Sequence, residues 1–204
     1  MKPITKVVIP VAGWGTRSLP ATKNIPKEML PIYNKPVIQY VVEEAQQSGI
    51  DDVVLVTNRD KSVIEDHFDH NLQLEGYLRQ KNKTELLKVV EDVAEMVNVI
   101  SVRQKQQKGL GHAILCARDA IGNNPFAVMV GDDLIFSGMP GIKQLIEVAM
   151  SENMPVVGVM EVPWENVDRY GIVDAEKVES GVYRVKTLVE KPSRDKAPSR
   201  LAIV

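Results

Sequence analysis

Glycines and cationic side chains are concentrated in the segment PVAGWGTRSLPATKNIPKEMLP, residues 10–31, which follows a short apolar run at residues 7–9. Gly13 and Gly15 allow the main chain to approach a ligand closely, so that its N–H groups can surround a phosphate. Arg17 and Lys27 add two positive charges to the same segment. This combination predicts a site for a phosphate-bearing ligand at the end of a strand.

The glycine spacing does not match two common phosphate-binding motifs. The dinucleotide fingerprint needs a third glycine where Ser18 stands, and the Gly-Lys-Ser/Thr ending of a P-loop is absent. A dinucleotide-dependent dehydrogenase is therefore disfavoured, also because the segment carries more charge than a pyrophosphate at a helix end requires. Taken alone, Gly13-Trp14-Gly15 favours an ordinary glycine turn.

A glutamine follows a second apolar run. Gln104 comes directly after VISVR, and Gly109 lies five residues further on. An amide side chain offers both a donor and an acceptor, which matches the edge of a uracil ring. Taken alone, the motif favours a surface glutamine before a glycine turn, and His112 is interpreted as a packing or capping residue rather than a catalyst.

Two carboxylates follow a third apolar run. Asp132 and Asp133 come after FAVMVG, residues 126–131. Carboxylates at the end of a strand suit Mg²⁺, which is usually held by one or two carboxylates together with substrate phosphates. An aspartate pair within a turn remains the alternative.

Sugar-binding chemistry is suggested by RYGIV and VEKP, near the C-terminal end of the sequence. Gly171 permits the close approach of a sugar ring, Glu190 can accept hydrogen bonds from hydroxyl groups, and Lys191 supplies a compact charge for phosphate. A Glu-Lys-Pro sequence is otherwise typical of a solvated turn.

The pattern of apolar residues predicts an α/β fold. Segments with helical spacing alternate with strand candidates that begin at Lys6, Val53, Val99, Phe126 and Val156. We expect a mostly parallel, Rossmann-like sheet with helices on both faces, formed by about residues 1–162, and a small mixed or antiparallel β extension at about residues 163–204. The final LAIV begins like a buried strand, which suggests that the sequence is a fragment of a longer protein.

Composition excludes several classes of function. The formal net charge of −2 gives no support to a nucleic-acid-binding protein that relies on a general basic field. The 204 residues include a single cysteine, Cys116, and no segment long enough to cross a bilayer, so we expect a cytoplasmic protein that binds neither nucleic acid nor membrane. The three histidines are scattered, and no arrangement for nucleophilic catalysis is evident.

The segment AGWGTRSLPATKNIPKEMLPI resembles the signature of the sugar-nucleotide nucleotidyltransferases, and its details are most similar to the bacterial UTP–glucose-1-phosphate uridylyltransferases. The resemblance continues through KPVIQYVVEEA, VRQKQQKGLGHAILCA, FAVMVGDDLI, RYGIV and VEKP, and so covers essentially the whole chain.

This resemblance implies a nucleotidyltransferase fold and a reaction in which glucose 1-phosphate attacks the α-phosphorus of UTP, with release of pyrophosphate. It implies Mg²⁺ as cofactor, UTP and glucose 1-phosphate as ligands, and a homo-oligomer for the full-length protein. By resemblance, Arg17, Lys27 and Lys191 are catalytic; Ala12, Gly13, Gly15, Glu28, Gln104 and Gly109 bind the nucleotide; Gly171, Glu190 and Lys191 bind the sugar; and Asp132 holds the metal.

Two alternatives stay open. A thymidylyltransferase is favoured by Tyr33 and Asn34 in PIYNKP, whereas the stretches around Lys27 and Gln104 favour uridylyl transfer. A non-catalytic paralogue that binds nucleotide sugars is suggested by Trp14, Ser18 and Asn34, which depart from the residues usual in the family.

Overall fold

The computed structural model describes residues 2–204 and divides into two compact units, one ending at Ser151 and the other formed by Glu152–Val204. The strands are β1 (Lys6–Pro10), β2 (Pro31–Ile32), β3 (Lys35–Pro36), β4 (Asp52–Thr57), β5 (Asn98–Arg103), β6 (Ala127–Val128), β7 (Val159–Glu161), β8 (Gly171–Glu179), β9 (Val182–Glu190) and β10 (Leu201–Ile203). The helices are α1 (Val37–Gln47), α2 (Ser62–Asp66), α3 (Leu72–Gln80), α4 (Thr84–Ala94), α5 (Leu110–Cys116), α6 (Arg118–Ile121) and α7 (Gly141–Glu152).

The first unit is built on a four-stranded parallel sheet with the order β5-β4-β1-β6. In these strands apolar residues follow one another directly. Because successive side chains point to opposite sides of a strand, both faces of the sheet are apolar. Val7 and Ile9 pack in one core with residues of α1, α2, α4 and α7, whereas Val8 packs in another with residues of α5 and α6. The predicted parallel sheet with helices on both faces is therefore confirmed.

The helical spacing of apolar residues in α1 stops shortly before Gly49, and the helix ends at Gln47. Gly49 has φ +83°, a conformation that a residue without Cβ adopts easily, and the N–H of Ile50 donates to the carbonyl of Ala45 at 3.1 Å. This ending turns the chain directly into β4, the neighbour of β1 in the sheet.

The second unit is an antiparallel sheet with the order β7-β10-β8-β9. The expectation that the run from Val156 joins the parallel sheet is wrong: only Val159–Glu161 forms a strand, and it pairs antiparallel with β10. The run is apolar enough for either sheet, and its pairing with residues some forty positions later decides its place. The predicted start of a strand at LAIV is confirmed by β10.

The extension predicted from about residue 163 thus has an antiparallel sheet with no parallel pair among the described residues. Ile172 and Ala202 are fully buried in its core, together with Val162 and Val167. Within residues 2–204, every helix is too short or too polar to be a candidate for crossing a membrane.

Candidate active site

The segment that follows β1 is held by its own hydrogen bonds. Gly15 has φ +66°, and its carbonyl accepts a hydrogen bond of 2.7 Å from Thr22 Oγ1. A Cβ at Gly15 would lie 3.2 Å from the Cβ of Lys27, so the glycine allows the segment to fold back closely on itself. The segment also contains three short 3₁₀ turns, at Thr16–Ser18, Ala21–Lys23 and Lys27–Met29.

A cleft of about 350 Å³ lies beyond the carboxyl ends of β1 and β5. This is the edge of a parallel α/β sheet at which ligands usually bind. The cleft is lined by Pro10, Ala12, Gly13, Lys27, Glu28, Gln104, Gln107, Gly109, Leu110, Ala113 and Val130. Six residues that the sequence nominated therefore share one cavity, although their individual roles stay predictions.

The main chain at Ala12 is anchored from two sides. Its carbonyl accepts hydrogen bonds from Asn58 Nδ2 at 2.8 Å and from Gln107 Nε2 at 2.7 Å. Asn58 follows β4 and Gln107 follows β5, so the ends of three neighbouring strands are tied together at the cleft. The sequence predicts neither amide as a site residue, and their position beyond the end of a strand is the one signal that could indicate them.

An ion pair joins the segment after β1 to the aspartates that follow β6. Lys27 Nζ lies 2.6 Å from Asp132 Oδ2. Gly131, the residue before Asp132, admits no side chain, because a Cβ there would lie 2.8 Å from Val11 Cγ1. Close packing of Gly131 on the strand end thus delivers Asp132 to Lys27.

Arg17 and Asp133 belong to the same part of the first unit. Desolvation raises the pKa of the Asp133 carboxyl, and the neighbouring negative charge of Asp132 raises it further. The positive charges of Lys27 and Arg17 act in the opposite direction. Both cations that the sequence nominated in the first unit, Lys27 and Arg17, are thus close enough to Asp133 to act on its carboxyl.

Glu28 is 1% exposed and is paired with a lysine that the sequence did not predict as a site residue. Lys61 Nζ donates to Glu28 Oε2 at 2.7 Å, and the Lys61 side chain is 7% exposed. Burial lowers the pKa of Lys61, and Glu28 raises it by its hydrogen bond and its charge. Glu28 also lines the cleft, so this ion pair lies directly behind the Lys27 side of the site.

Gln104 is 6% exposed and makes two side-chain contacts at the cleft. Its Nε2 lies 3.2 Å from the carbonyl of Gly109 and 3.0 Å from His112 Nδ1. Gly109 has φ +92°, which places its main chain in a conformation that favours glycine. The sequence predicts a packing or capping role for His112 but does not predict its contact with Gln104.

A second hollow of about 480 Å³ borders the cleft and shares Gln104 and Gln107 with it. Its other lining residues are Trp14, Asn58, Arg59, Asp60, Arg103 and Lys105. Trp14, whose presence is a departure from the residues usual in the family, is 66% exposed at this hollow. Its bulk therefore leaves the core of the first unit undisturbed.

The second unit brings together its own three nominated residues. Gly171 and Glu190 are register partners in the β8–β9 pair, and a Cβ at Gly171 would lie 3.3 Å from Glu190 Oε2. Lys191 Nζ lies 3.3 Å from Glu190 Oε1, and Lys191 has φ +45°. Both charged side chains are more than half exposed, so they are accessible to a ligand.

Within residues 2–204, no three His, Cys, Asp or Glu side chains are grouped closely enough to hold a metal ion by themselves. Asp132 supplies one hard oxygen donor, about a third exposed, that is already matched with one cation. This donor set fits Mg²⁺ only if other oxygens complete the coordination, as substrate phosphates do.

Residues 6–203 match the family model described as nucleotidyl transferase. The chain belongs to this family. UTP–glucose-1-phosphate uridylyltransferases from Staphylococcus epidermidis and Bacillus subtilis are 52% and 50% identical to it over all 204 residues. The chain spans 71% and 70% of the lengths of these two relatives.

Solved structures give the same result. A UDP-glucose pyrophosphorylase complexed with UDP-glucose is 45% identical, with a TM-score of 0.87 over 98% of this chain and 74% of the other. A UTP-bound enzyme of the same kind from Acinetobacter baumannii is 44% identical, with a TM-score of 0.93 over 98% of this chain and 72% of the other. The nucleotidyltransferase fold expected from the sequence is confirmed.

Proposed function

We propose that this protein transfers a uridylyl group from UTP to glucose 1-phosphate, giving UDP-glucose and pyrophosphate. One observation carries the proposal: five of the six residues nominated for the nucleotide, together with Lys27, line a single cleft at the carboxyl edge of the parallel sheet. Identity of 50% or more to uridylyltransferases over the entire chain supports uridine as the nucleoside.

Charge neutralisation is the main task of such a site because both substrates are anions. Two like unit charges 4 Å apart repel each other by about 4 kcal/mol at an effective dielectric constant of about 20. In the first unit, Lys27 and Arg17 supply the opposite charge. Lys27 is held by Asp132 until a phosphate competes for its ammonium group.

The reaction proceeds as a single in-line displacement. A phosphate oxygen of glucose 1-phosphate forms a bond to the α-phosphorus of UTP, and the bond from that phosphorus to the bridging oxygen breaks. The electron pair leaves with pyrophosphate. We expect direct transfer rather than a protein nucleophile, because this kind of transfer needs positioning and charge neutralisation more than covalent chemistry from the protein.

A divalent metal is generally used by nucleotidyltransferases, and we propose Mg²⁺. Asp132 would hold it, with substrate phosphates as the remaining ligands. Bound there, the ion would neutralise negative charge on the phosphates as it develops. Before a ligand arrives, Lys27 orients the Asp132 carboxylate through their contact of 2.6 Å.

The sugar is assigned to the second unit. The absence of a side chain at Gly171 leaves room beside Glu190, whose carboxylate accepts hydrogen bonds from sugar hydroxyls. Lys191 binds the phosphate of glucose 1-phosphate. We further propose a cytoplasmic protein that forms a homo-oligomer; light scattering on the purified protein tests the oligomeric state.

The proposal is tested by incubating the purified protein with UTP, glucose 1-phosphate and Mg²⁺, and measuring UDP-glucose by chromatography and pyrophosphate by ³¹P NMR. We expect both products in equal amounts, and none after chelation of the metal. Nucleotide binding without product would favour the non-catalytic alternative, and faster turnover of dTTP would favour thymidylyl transfer. Retention of configuration at a chiral α-phosphorus would contradict a single displacement.

A further inference from the structure

The orientation of the Gln104 amide is fixed by its neighbours. A backbone carbonyl can only accept a hydrogen bond, so the Gly109 oxygen requires the nitrogen end of the amide to face it, at 3.2 Å. The same Nε2 lies 3.0 Å from His112 Nδ1. Because Nε2 can only donate, His112 Nδ1 is the unprotonated nitrogen of its ring and accepts the second hydrogen.

The two acceptors differ in their relation to the cleft. Gly109 and Gln104 line the cavity, whereas His112 is absent from its lining and lies behind Gln104 on α5. A ligand entering the cavity can therefore displace the longer contact to Gly109 without disturbing the contact to His112. The hydrogen bond to the imidazole is the one that persists when the cavity fills.

We propose that His112 is a positioning residue for recognition of the pyrimidine base. By accepting one hydrogen from Gln104 Nε2, it keeps the nitrogen end of the amide directed so that the other hydrogen serves a carbonyl of the base. The Gly109 carbonyl, released from Gln104, then accepts the ring N–H of uracil. The inference rests on the proposed function for its ligand, UTP.

Without His112, nothing else described in residues 2–204 accepts a hydrogen bond from Gln104 Nε2 except Gly109. The amide could then turn over when the base arrives and present its oxygen to a carbonyl, which is repulsive. Losing one oriented hydrogen bond of this kind corresponds to about a tenfold loss of affinity.

Three variants separate positioning from packing. His112→Leu replaces the imidazole by an apolar side chain of similar size and so removes the acceptor. His112→Asn retains an acceptor oxygen close to the position of Nδ1. Cys116→Ala is the matched control, because Cys116 Sγ lies 3.8 Å from the same Nδ1 and its weak S–H contact is not needed to hold Gln104.

The experiment is calorimetric titration of each variant with UTP, and separately with inorganic pyrophosphate, in Mg²⁺ and without glucose 1-phosphate. We expect His112→Leu to raise the Kd of UTP about tenfold, while His112→Asn and Cys116→Ala stay within about twofold of the parent. Pyrophosphate, which has no base, should bind all of them equally. In a Gln104→Met background, His112→Leu should have no further effect.

The inference is overturned if His112→Leu leaves UTP affinity unchanged, weakens pyrophosphate as much as UTP, or adds its full effect to Gln104→Met. It is also overturned if Asn does not restore binding in a variant with the parent's melting temperature. A protein that binds UTP in the expected pattern but forms no UDP-glucose contradicts the proposed function alone. UDP-glucose formation with unaltered UTP affinity in His112→Leu contradicts this inference alone.

Discussion

Lys27 Nζ lies 2.6 Å from Asp132 Oδ2, and this contact joins the segment after β1 to the segment after β6 at the edge of the cleft. Both side chains are between a fifth and a third exposed, so water screens their attraction only partly. Each is thereby ordered before a ligand arrives, and an incoming phosphate exchanges one partner of Lys27 for another.

Replacement of Lys27 by Met removes the positive charge but keeps an unbranched side chain. We expect kcat/KM to fall about 100-fold or more, because charge stabilisation in a transition state is typically worth that much. Steady-state kinetics measure the effect. Lys23→Met is the control in the same segment, and an equal loss in that variant would contradict a specific role for Lys27.

Asp132→Asn keeps the size of the side chain but removes its charge. We expect the Mg²⁺ concentration for half-maximal velocity to rise about tenfold, since a neutral amide oxygen is a weaker ligand for a hard cation. A titration of velocity against Mg²⁺ at saturating UTP measures this. An unaltered half-maximal concentration would remove Asp132 as the metal ligand.

Gly13 and Gly15 should respond differently to Ala. Gly15 has φ +66°, and its new methyl group would crowd Lys27 Cβ, so Gly15→Ala should lower the free energy of unfolding by about 1–2 kcal/mol. A methyl group at Gly13 would meet open space, so Gly13→Ala should leave stability unchanged and weaken UTP binding only. Urea unfolding and calorimetry test the pair, and normal UTP affinity in Gly13→Ala would show that no ligand approaches there.

The buried pair of Lys61 and Glu28 should be costly to break. Lys61→Met leaves an uncompensated carboxylate that is 1% exposed, and we expect a loss of about 3–5 kcal/mol in unfolding free energy. Lys61→Met combined with Glu28→Gln should recover part of it. The exposed pair Lys186–Glu176 is the control, since Lys186→Met should cost less than about 1 kcal/mol.

His67 makes stability depend on pH. Burial lowers its pKa, and its Nε2 lies 3.0 Å from Gln39 Oε1. Because the unfolded chain takes up a proton more readily, stability should fall as the pH drops below about 6.5 and level off once the folded imidazole is also protonated. His67→Gln, which keeps a donor near Nε2, should flatten melting temperature against pH in this window. An identical slope in the variant would assign the effect to other groups.

The spacing of apolar residues predicted the strands and helices of the first unit because it directly reflects which side chains are buried. Val7, Val8 and Ile9 are apolar in succession, which is typical of a strand covered on both faces. The run from Val156 has the same composition, yet it pairs with β10 in the other sheet. Local sequence does not encode which distant strand a short apolar segment will meet.

The ends of strands predicted which residues share the cleft, since parallel strands deliver their carboxyl ends to one edge. The ends of strands do not distinguish Lys61, which is buried against Glu28, from the nearby Arg59, which is exposed. Nor could they predict that His112 contacts Gln104, because a helix of seven residues presents several side chains and its rotation is set by packing.

The central position of β10 has a consequence for the order of folding. Its three residues separate β7 from β8, although those two strands are consecutive in the sequence. The sheet cannot be assembled by adding each strand to its predecessor, because β7 has no partner until β10 is inserted. The hairpin of β8 and β9 can form first. β7 acquires a partner and a fixed register only when β10, the last strand of the chain, is in place.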